Sequence, residues 1–241
     1  MSDAFPSTHR SAVLRTRSLD PEERSRAFGA IVELYWKPVY KYLRLRWQVP
    51  AADAEDATQS FFARAFEKEW FARFEPGRAR FRTYLRTCLD GFLANERRDA
   101  ARQKRGGGVP LLRLEFESAE GELRHVEIPV DPDPDAVFQQ EWVRSVFTAA
   151  VNALQAQCRA EDKLVHFAVF EAYDLHGADS PARPSYTELA ARHGIPVTQV
   201  TNYLAWARRE FRTRVLETLR QVCTSEDEFR AEARSVLGVE P

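Results

Sequence analysis

Cysteine is scarce: Cys88, Cys158 and Cys223 are the only three in 241 residues, and none stands at a paired spacing. That excludes a disulfide framework or a zinc knuckle and points to a reducing cytoplasm. Long apolar runs are absent too, so nothing in the chain reads as a bilayer-crossing segment. The opening Met1-Ser-Asp-Ala-Phe-Pro lacks the charged region and apolar core of a secretory signal. Net charge is nearly absent: the formal value is −1 and the pI about 6.6. A uniformly basic nucleic-acid coat is thereby excluded, and any surface for a polyanion must be local. No glycine loop is placed to cradle phosphate, because Gly106 to Gly108 follow a helical stretch instead of opening one. Asp53, Glu55 and Asp56 have no His-rich segment to complete a metal site. His125, His166, His176 and His193 are scattered, and no Ser or Cys has a nucleophile's local context. The expectation is a soluble, cytoplasmic protein that is not an enzyme and uses no metal or cofactor.

What the chain does have is amphipathic helix. Pro76-Gly77 reads as a turn, and after it Phe81, Tyr84, Leu85, Cys88, Leu89, Phe92 and Leu93 recur at helical spacing. The other side of that helix carries Arg78, Arg82 and Arg86 one turn apart. Its far end adds Arg97, Arg98, Arg102, Lys104 and Arg105. A basic stripe beside aromatic residues suits a polyanion with stackable bases, and a solvated face with ordinary ion pairs is the plainer reading.

Before this stretch, Asp20 and Pro21 read as the N-cap and first residue of a helix whose apolar stripe is Phe28, Ile31, Val32 and Tyr35. Val39, Tyr42 and Leu43 continue the stripe, and Pro38 is expected to kink or divide it. Asp53 is placed to cap the next helix, with Glu55 and Asp56 in its first turn, where the helix dipole favours acids. Between Pro110 and Pro134 the period changes, and Leu112, Leu114 and Phe116 alternate with polar residues, as do Val126 and Ile128. That leaves room for a short β-hairpin within an acidic linker.

Past Asp135 the helical spacing returns through Val137, Trp142, Val146, Val151 and Leu154, then through Leu164, Phe167, Ala168 and Phe170. Ser185 to Arg209 fits two helices joined by a tight turn at Gly194, with Leu189, Ala190, Ile195, Val200 and Leu204 meeting at the crossing. In such a helix-turn-helix the second helix starts near Val197. Thr198, Gln199, Thr201 and Asn202 then face base edges, and Arg208 and Arg209 lie near phosphates. Glu226 to Leu237 reads as a short helical tail.

Three motifs in this order resemble the sigma-70 family of bacterial RNA polymerase sigma factors, and most of all its small extracytoplasmic-function type. Asp53-Ala-Glu-Asp-Ala-Thr-Gln-Ser-Phe-Phe is similar to the family's polymerase-docking helix. Phe81-Arg-Thr-Tyr-Leu with Phe92-Leu-Ala-Asn-Glu-Arg-Arg is similar to the helix that engages the −10 promoter element. Tyr186-Thr-Glu-Leu-Ala through Gly194-Ile-Pro-Val-Thr-Gln-Val-Thr-Asn-Tyr-Leu is similar to the −35 reader. The resemblance covers about residues 24–220. It implies an all-α fold of two small helical domains, region 2-like at 20–105 and region 4-like at 136–223. A linker would occupy 106–135 and a C-terminal tail 224–241.

The implied partners are core RNA polymerase and promoter DNA, with an anti-sigma factor or other regulatory protein as a further candidate. The resemblance assigns polymerase binding to Asp53, Glu55, Asp56 and Gln59, with exposed aromatic surface from Phe62. It assigns −10 contacts to Arg78, Arg80, Arg82, Tyr84, Arg86, Asn95, Arg97 and Arg98, with Phe81 taken as core. The −35 set is Thr198, Gln199, Thr201, Asn202, Arg208 and Arg209. The chain departs from the family where Thr201, Tyr203 and Trp206 replace the usual Lys or Arg. The expected −35 reading is then either weaker or biased toward thymine methyls, and toward adenine edges through Gln199 and Asn202. Two other classes stay open: a helix-turn-helix regulator that binds duplex without polymerase, and an all-helical interaction module.

Overall fold

A computed structural model describes residues 11–100, 114–124, 133–176 and 183–238, and among them every regular element is a helix. The order is α1 (Ala12–Arg15), α2 (Pro21–Arg46), α3 (Ala51–Glu67), a 3₁₀ turn (Phe71–Arg73), α4 (Phe81–Ala100) and α5 (Phe116–Arg124). There follow α6 (Pro134–Ala160), α7 (Leu164–Phe170) with a π turn (Glu171–Leu175), α8 (Tyr186–His193), α9 (Val197–Val222) and α10 (Glu226–Leu237). The chain divides into two units. One takes the chain up to Ser145 and again from Leu219, and the other is Val146–Thr218.

In the first unit α2 is the central element. Asp20 caps it through a 2.9 Å bond to the Glu22 amide, with Pro21 at the first position, as its sequence implies. Pro38 neither ends nor divides the helix, which runs unbroken to Arg46. A helix-interior proline costs about 3 kcal/mol. Its neighbours Tyr35, Val39 and Tyr40 are almost wholly buried, and their packing on several sides of α2 offsets that cost. Aromatic rings then join α2 to the elements that follow. Phe28 stacks on Phe71 at 5.3 Å, Phe71 meets Phe81 edge-on at 5.4 Å, and Phe81 meets Tyr35 at 5.6 Å. Phe61 of α3 reaches Phe92 of α4 at 5.8 Å. Each such pair adds about 0.5–1.5 kcal/mol beyond the area it buries. Phe81 is therefore core, as expected from its spacing.

Asp53 does not cap α3. The helix begins at Ala51 behind Pro50, so Asp53 lies inside the first turn and acts there through the helix dipole alone. The alternating stretch also folds otherwise than expected. Phe116–Arg124 is the helix α5, while residues 112, 126 and 128 lie outside the described ones. Tertiary contacts override the period-two pattern here. Phe116 packs against Trp36 at 5.5 Å and Tyr40 at 5.2 Å. Glu120 accepts from Tyr40 at 2.7 Å and from Arg44 at 2.8 and 3.0 Å. Glu122 accepts from Lys37 at 2.6 Å and Lys41 at 2.7 Å. Lys41 is fully buried and also pairs with Glu141 of α6. Part of the expected linker is thus held on α2.

The second unit has its own core. Leu154, Cys158, Phe167, Val169 and Phe170 pack with Leu189, Ala190, Val200, Leu204 and Ala207.

Candidate nucleic-acid interface

The basic stripe of α4 begins beyond a turn in which Gly77 adopts φ +89°, a conformation that side chains resist. Arg78 and Arg80 just before the helix are exposed. Arg78 pairs locally with Glu75 at 3.0 Å, and Arg80 lies 3.4 Å from Glu232. Arg82 stands differently: its side chain is only 12% exposed, it pairs with Glu232 of α10, and its guanidinium lies 4.9 Å over the Trp142 ring. Arg86 pairs with Asp135 at the start of α6. Arg82 and Arg86 thus do not stand free along an open stripe, because α10 and the first turn of α6 supply carboxylates to both. Between them lies a cleft of about 410 Å³ lined by Arg82, Thr83, Arg86, Phe138, Gln139 and Ser235.

Glu232 was not legible as part of this surface, yet it is 2% exposed and central to it. Its signal lay in α10, whose buried Phe229, Glu232 and Ala233 recur at helical spacing behind the cap Ser225. Glu228, one turn earlier, accepts from the Phe81 amide at 3.4 Å. The carboxylates and burial together push the Cys223 thiol well above its usual range, burial being the larger cause.

Of the remaining α4 expectations, Asn95 is exposed, and the side chains of Arg97 and Arg98 lie outside the described ones. Tyr84 is half-buried and donates its hydroxyl to the Trp70 carbonyl at 2.8 Å, with its ring 5.3 Å from Phe74. Burial, then the neighbouring Cys88, raises the phenol to about 12, so it stays a neutral donor.

On α3, Asp53 and Asp56 are exposed and Glu55 and Gln59 half-buried. None of the ion pairs among the described residues involves these acids. Phe62 is fully buried, edge-on to Phe61 at 5.1 Å, and cannot supply exposed aromatic surface. Phe66 can: it is 41% exposed, with Arg24 5.8 Å over its ring. It follows Gln59 by seven residues and so shares its side of the helix, a signal that a strict three-and-four count of α3 contains.

In the second unit, Ser185 and Glu188 form a reciprocal capping box at the start of α8. Gly194 ends α8 at φ +63°, and α9 starts three residues later at Val197. Leu189, Ala190, Val200 and Leu204 are buried at the crossing, with Ile195 partly so. Thr198, Thr201, Asn202, Arg208 and Arg209 are exposed and Gln199 is half-buried. Arg208 makes two bonds to Asp174, at 2.8 and 2.9 Å, which raise its already high pKa further. Tyr203 and Trp206, where cations were expected by resemblance, enclose His166. Tyr203 stacks on the imidazole at 3.6 Å and Trp206 meets it edge-on at 5.1 Å. Burial, then the nearby Lys163, lowers the His166 pKa and keeps the ring neutral.

A helical scaffold with one guarded basic stripe and one open polar helix face is suited to nucleic acid. Among the described residues no cluster of His, Cys, Asp or Glu could hold a metal, and no helix is long and apolar enough to cross a membrane. Residues 31–103 match Sigma-70 region 2, a span that takes in most of α2, all of α3 and all of α4. This match covers less than half of the chain. It supports a sigma factor of the sigma-70 family, with a role in promoter recognition and transcription initiation. No curated protein and no solved structure matches the chain.

Proposed function

We propose that the chain is a sigma factor of the extracytoplasmic-function type, acting in the cytoplasm. It binds core RNA polymerase, recognises a promoter, opens the −10 element and does no covalent chemistry itself. The observation that supports this most is where the Sigma-70 region 2 match falls: on the helices that carry both the acidic face of α3 and the arginine stripe of α4. In this reading residues 20–105 serve docking and −10 opening, residues 106–135 link, and residues 136–223 read the −35 element.

The roles divide by charge and shape. Asp53, Glu55, Asp56 and Gln59 meet basic and polar groups of the polymerase, and Phe66 supplies the apolar contact in place of Phe62. Arg78, Arg80, Arg86, Arg97 and Arg98 hold phosphates and Asn95 contacts a base or phosphate, while Tyr84 offers a ring edge beside a flipped base. Flipping costs a few kcal/mol, which stacking at about 1–3 kcal/mol per base offsets. Arg82 joins them only if its pair with Glu232 opens, and Arg86 reaches its phosphate only by giving up Asp135. Thr198, Gln199, Thr201 and Asn202 face the −35 major groove, with Arg208 and Arg209 at its phosphates.

Two measurements test this. Run-off transcription with purified core enzyme on a promoter library is expected to yield a defined start. The double variant Asp53→Lys/Asp56→Lys is expected to lose polymerase binding with unchanged helicity; transcription at the original level would remove the docking assignment. One observation favours a second reading, a regulator that binds duplex without polymerase: the polar face of α9 is open while the α4 arginines are engaged. Tight, sequence-specific duplex binding by the chain alone would select that reading.

A further inference from the structure

Gln199 and Tyr203 lie one turn apart on α9, and the Tyr203 hydroxyl donates to Gln199 Oε1 at 3.1 Å. Tyr203 is itself held. Its ring lies against His166 with centroids 3.6 Å apart and planes within 21°, and His166 is walled by Trp206 at 5.1 Å. Lys163 sits 4.5 Å over the Trp206 ring. The base of this stack belongs to the unit's core, where Phe167 and Phe170 pack with Val200 and Leu204. A long amide side chain on an exposed helix face ordinarily samples several rotamers. Here its carbonyl end is held by a phenol whose ring is stacked on His166.

Pinning one end of the amide changes what the other end can read. A glutamine recognises adenine by using both ends, its oxygen accepting from N6 and its nitrogen donating to N7. With Oε1 turned to Tyr203 and one of its two lone pairs taken, the NH₂ group is the freer end of the amide, and it only donates. Guanine presents two acceptors in the major groove, N7 and O6, and offers no donor there that would need the oxygen held by Tyr203.

We propose that Tyr203, buttressed by His166, is a positioning residue that fixes Gln199 as a hydrogen-bond donor and makes the base it meets guanine instead of adenine. This rests on α8 and α9 reading duplex DNA, and it replaces the adenine preference expected for Gln199. The absence of a cation at position 203 is then no loss of recognition. The ring has exchanged a phosphate contact for control over a neighbour that touches a base.

The test is selection from a duplex library randomised across the upstream promoter element, with the full chain alone and with core polymerase. Wild type is expected to favour guanine over adenine about tenfold at one position. Tyr203→Phe keeps the stack and removes the hydroxyl, and should bring that ratio close to one while leaving preferences elsewhere unchanged. Gln199→Ala should lose the preference at the same position, and the double variant should match Gln199→Ala. His166→Ala, which loosens the tyrosine, should fall between wild type and Tyr203→Phe. An adenine preference in wild type overturns the proposal, as does a Tyr203→Phe profile identical to wild type when Gln199→Ala changes it. If no duplex is enriched in either arm, the assignment of α8 and α9 as a duplex reader fails, and the proposal fails with it.

Discussion

The outer faces of α4 and α9 hold their polar groups in different ways. On α4 the arginines nearest the helix start are matched by carboxylates from other elements, Arg82 by the buried Glu232 and Arg86 by Asp135. On α9 the exposed threonines and asparagine face outward, and the partners that do occur, Asp174 for Arg208 and Tyr203 for Gln199, come from the same small unit at half-exposed positions. A guanidinium sealed against a carboxylate must lose that partner before it can hold a phosphate. A hydroxyl or amide in water exchanges only solvent. The first arrangement couples recognition to a structural tie, and the second leaves recognition ready-made.

The largest expected effect follows from that difference. Glu232→Ala leaves Arg82 beneath α10 and Trp142 without its anion, and removing one partner of a buried pair costs about 3–5 kcal/mol. Denaturant unfolding of the first unit should register a loss of that order. Removing Arg208, whose side chain is 47% exposed beside Asp174, should cost about 0–1 kcal/mol in the second unit. Equal losses from the two variants would erase the distinction. Glu232→Gln separates charge from shape: it keeps the volume, and a smaller loss than for Glu232→Ala would show that packing carries part of the tie.

Much of the helical layout was legible in the chain because its signals are local. Asp20-Pro21, the apolar spacing from Phe81 to Leu93, the capping residues of α8 and the Gly194 turn each act within a few residues of themselves. What escaped depends on partners far along the chain. The alternation around Phe116 reads as strand until Trp36 and Tyr40 are there to receive a helical face. Phe62 looks as exposed as Phe66 until Phe28 and Phe61 surround it. The stripe on α4 was visible as charge, but Glu232 stands 150 residues from Arg82 and no periodicity of α4 points to it. Position 203 departed visibly from the resembled family, whereas the ring that Tyr203 leans on became evident only when α7 was placed beside α9.

Two glycines sharpen the comparison at a smaller scale. Gly91 lies inside α4 on an exposed face, and a Cβ added there meets nothing within 4 Å. Gly91→Ala should therefore stabilise the first unit by about 0.5–1 kcal/mol, by lowering the freedom of the unfolded chain and favouring the helix. Gly194 also has open space around it but stands at φ +63°, so Gly194→Ala should cost the second unit about 1 kcal/mol. Thermal unfolding followed for each variant should give shifts of opposite sign; two stabilising shifts would mean that Gly194 does not keep its left-handed turn in solution, and two destabilising ones that Gly91 does not stand in open space.

The smallest effect distinguishes the units by acidity. His166 in the second unit has a pKa lowered by burial and by Lys163, so the folded form binds fewer protons than the unfolded chain just below the ordinary histidine value of about 6.5. Stability is then full above that value and falls as pH drops through the lowered folded pKa. Glu122 in the first unit also has a lowered pKa: burial opposes its charge, but Lys37 and Lys41 outweigh burial. For a carboxyl lowered in the folded state the contribution is present above its unfolded value of about 4.3 and disappears as pH falls through the folded one. Between about pH 6.5 and 4.5 the second unit should therefore lose stability through His166 while Glu122 still holds α5 on α2. His166→Phe should remove the first of these slopes while keeping an aromatic ring against Tyr203, and Glu122→Gln should leave it in place. If the slope survives His166→Phe, protonation at the Tyr203 stack is not its source, and the acid sensitivity of the two units no longer separates on this histidine.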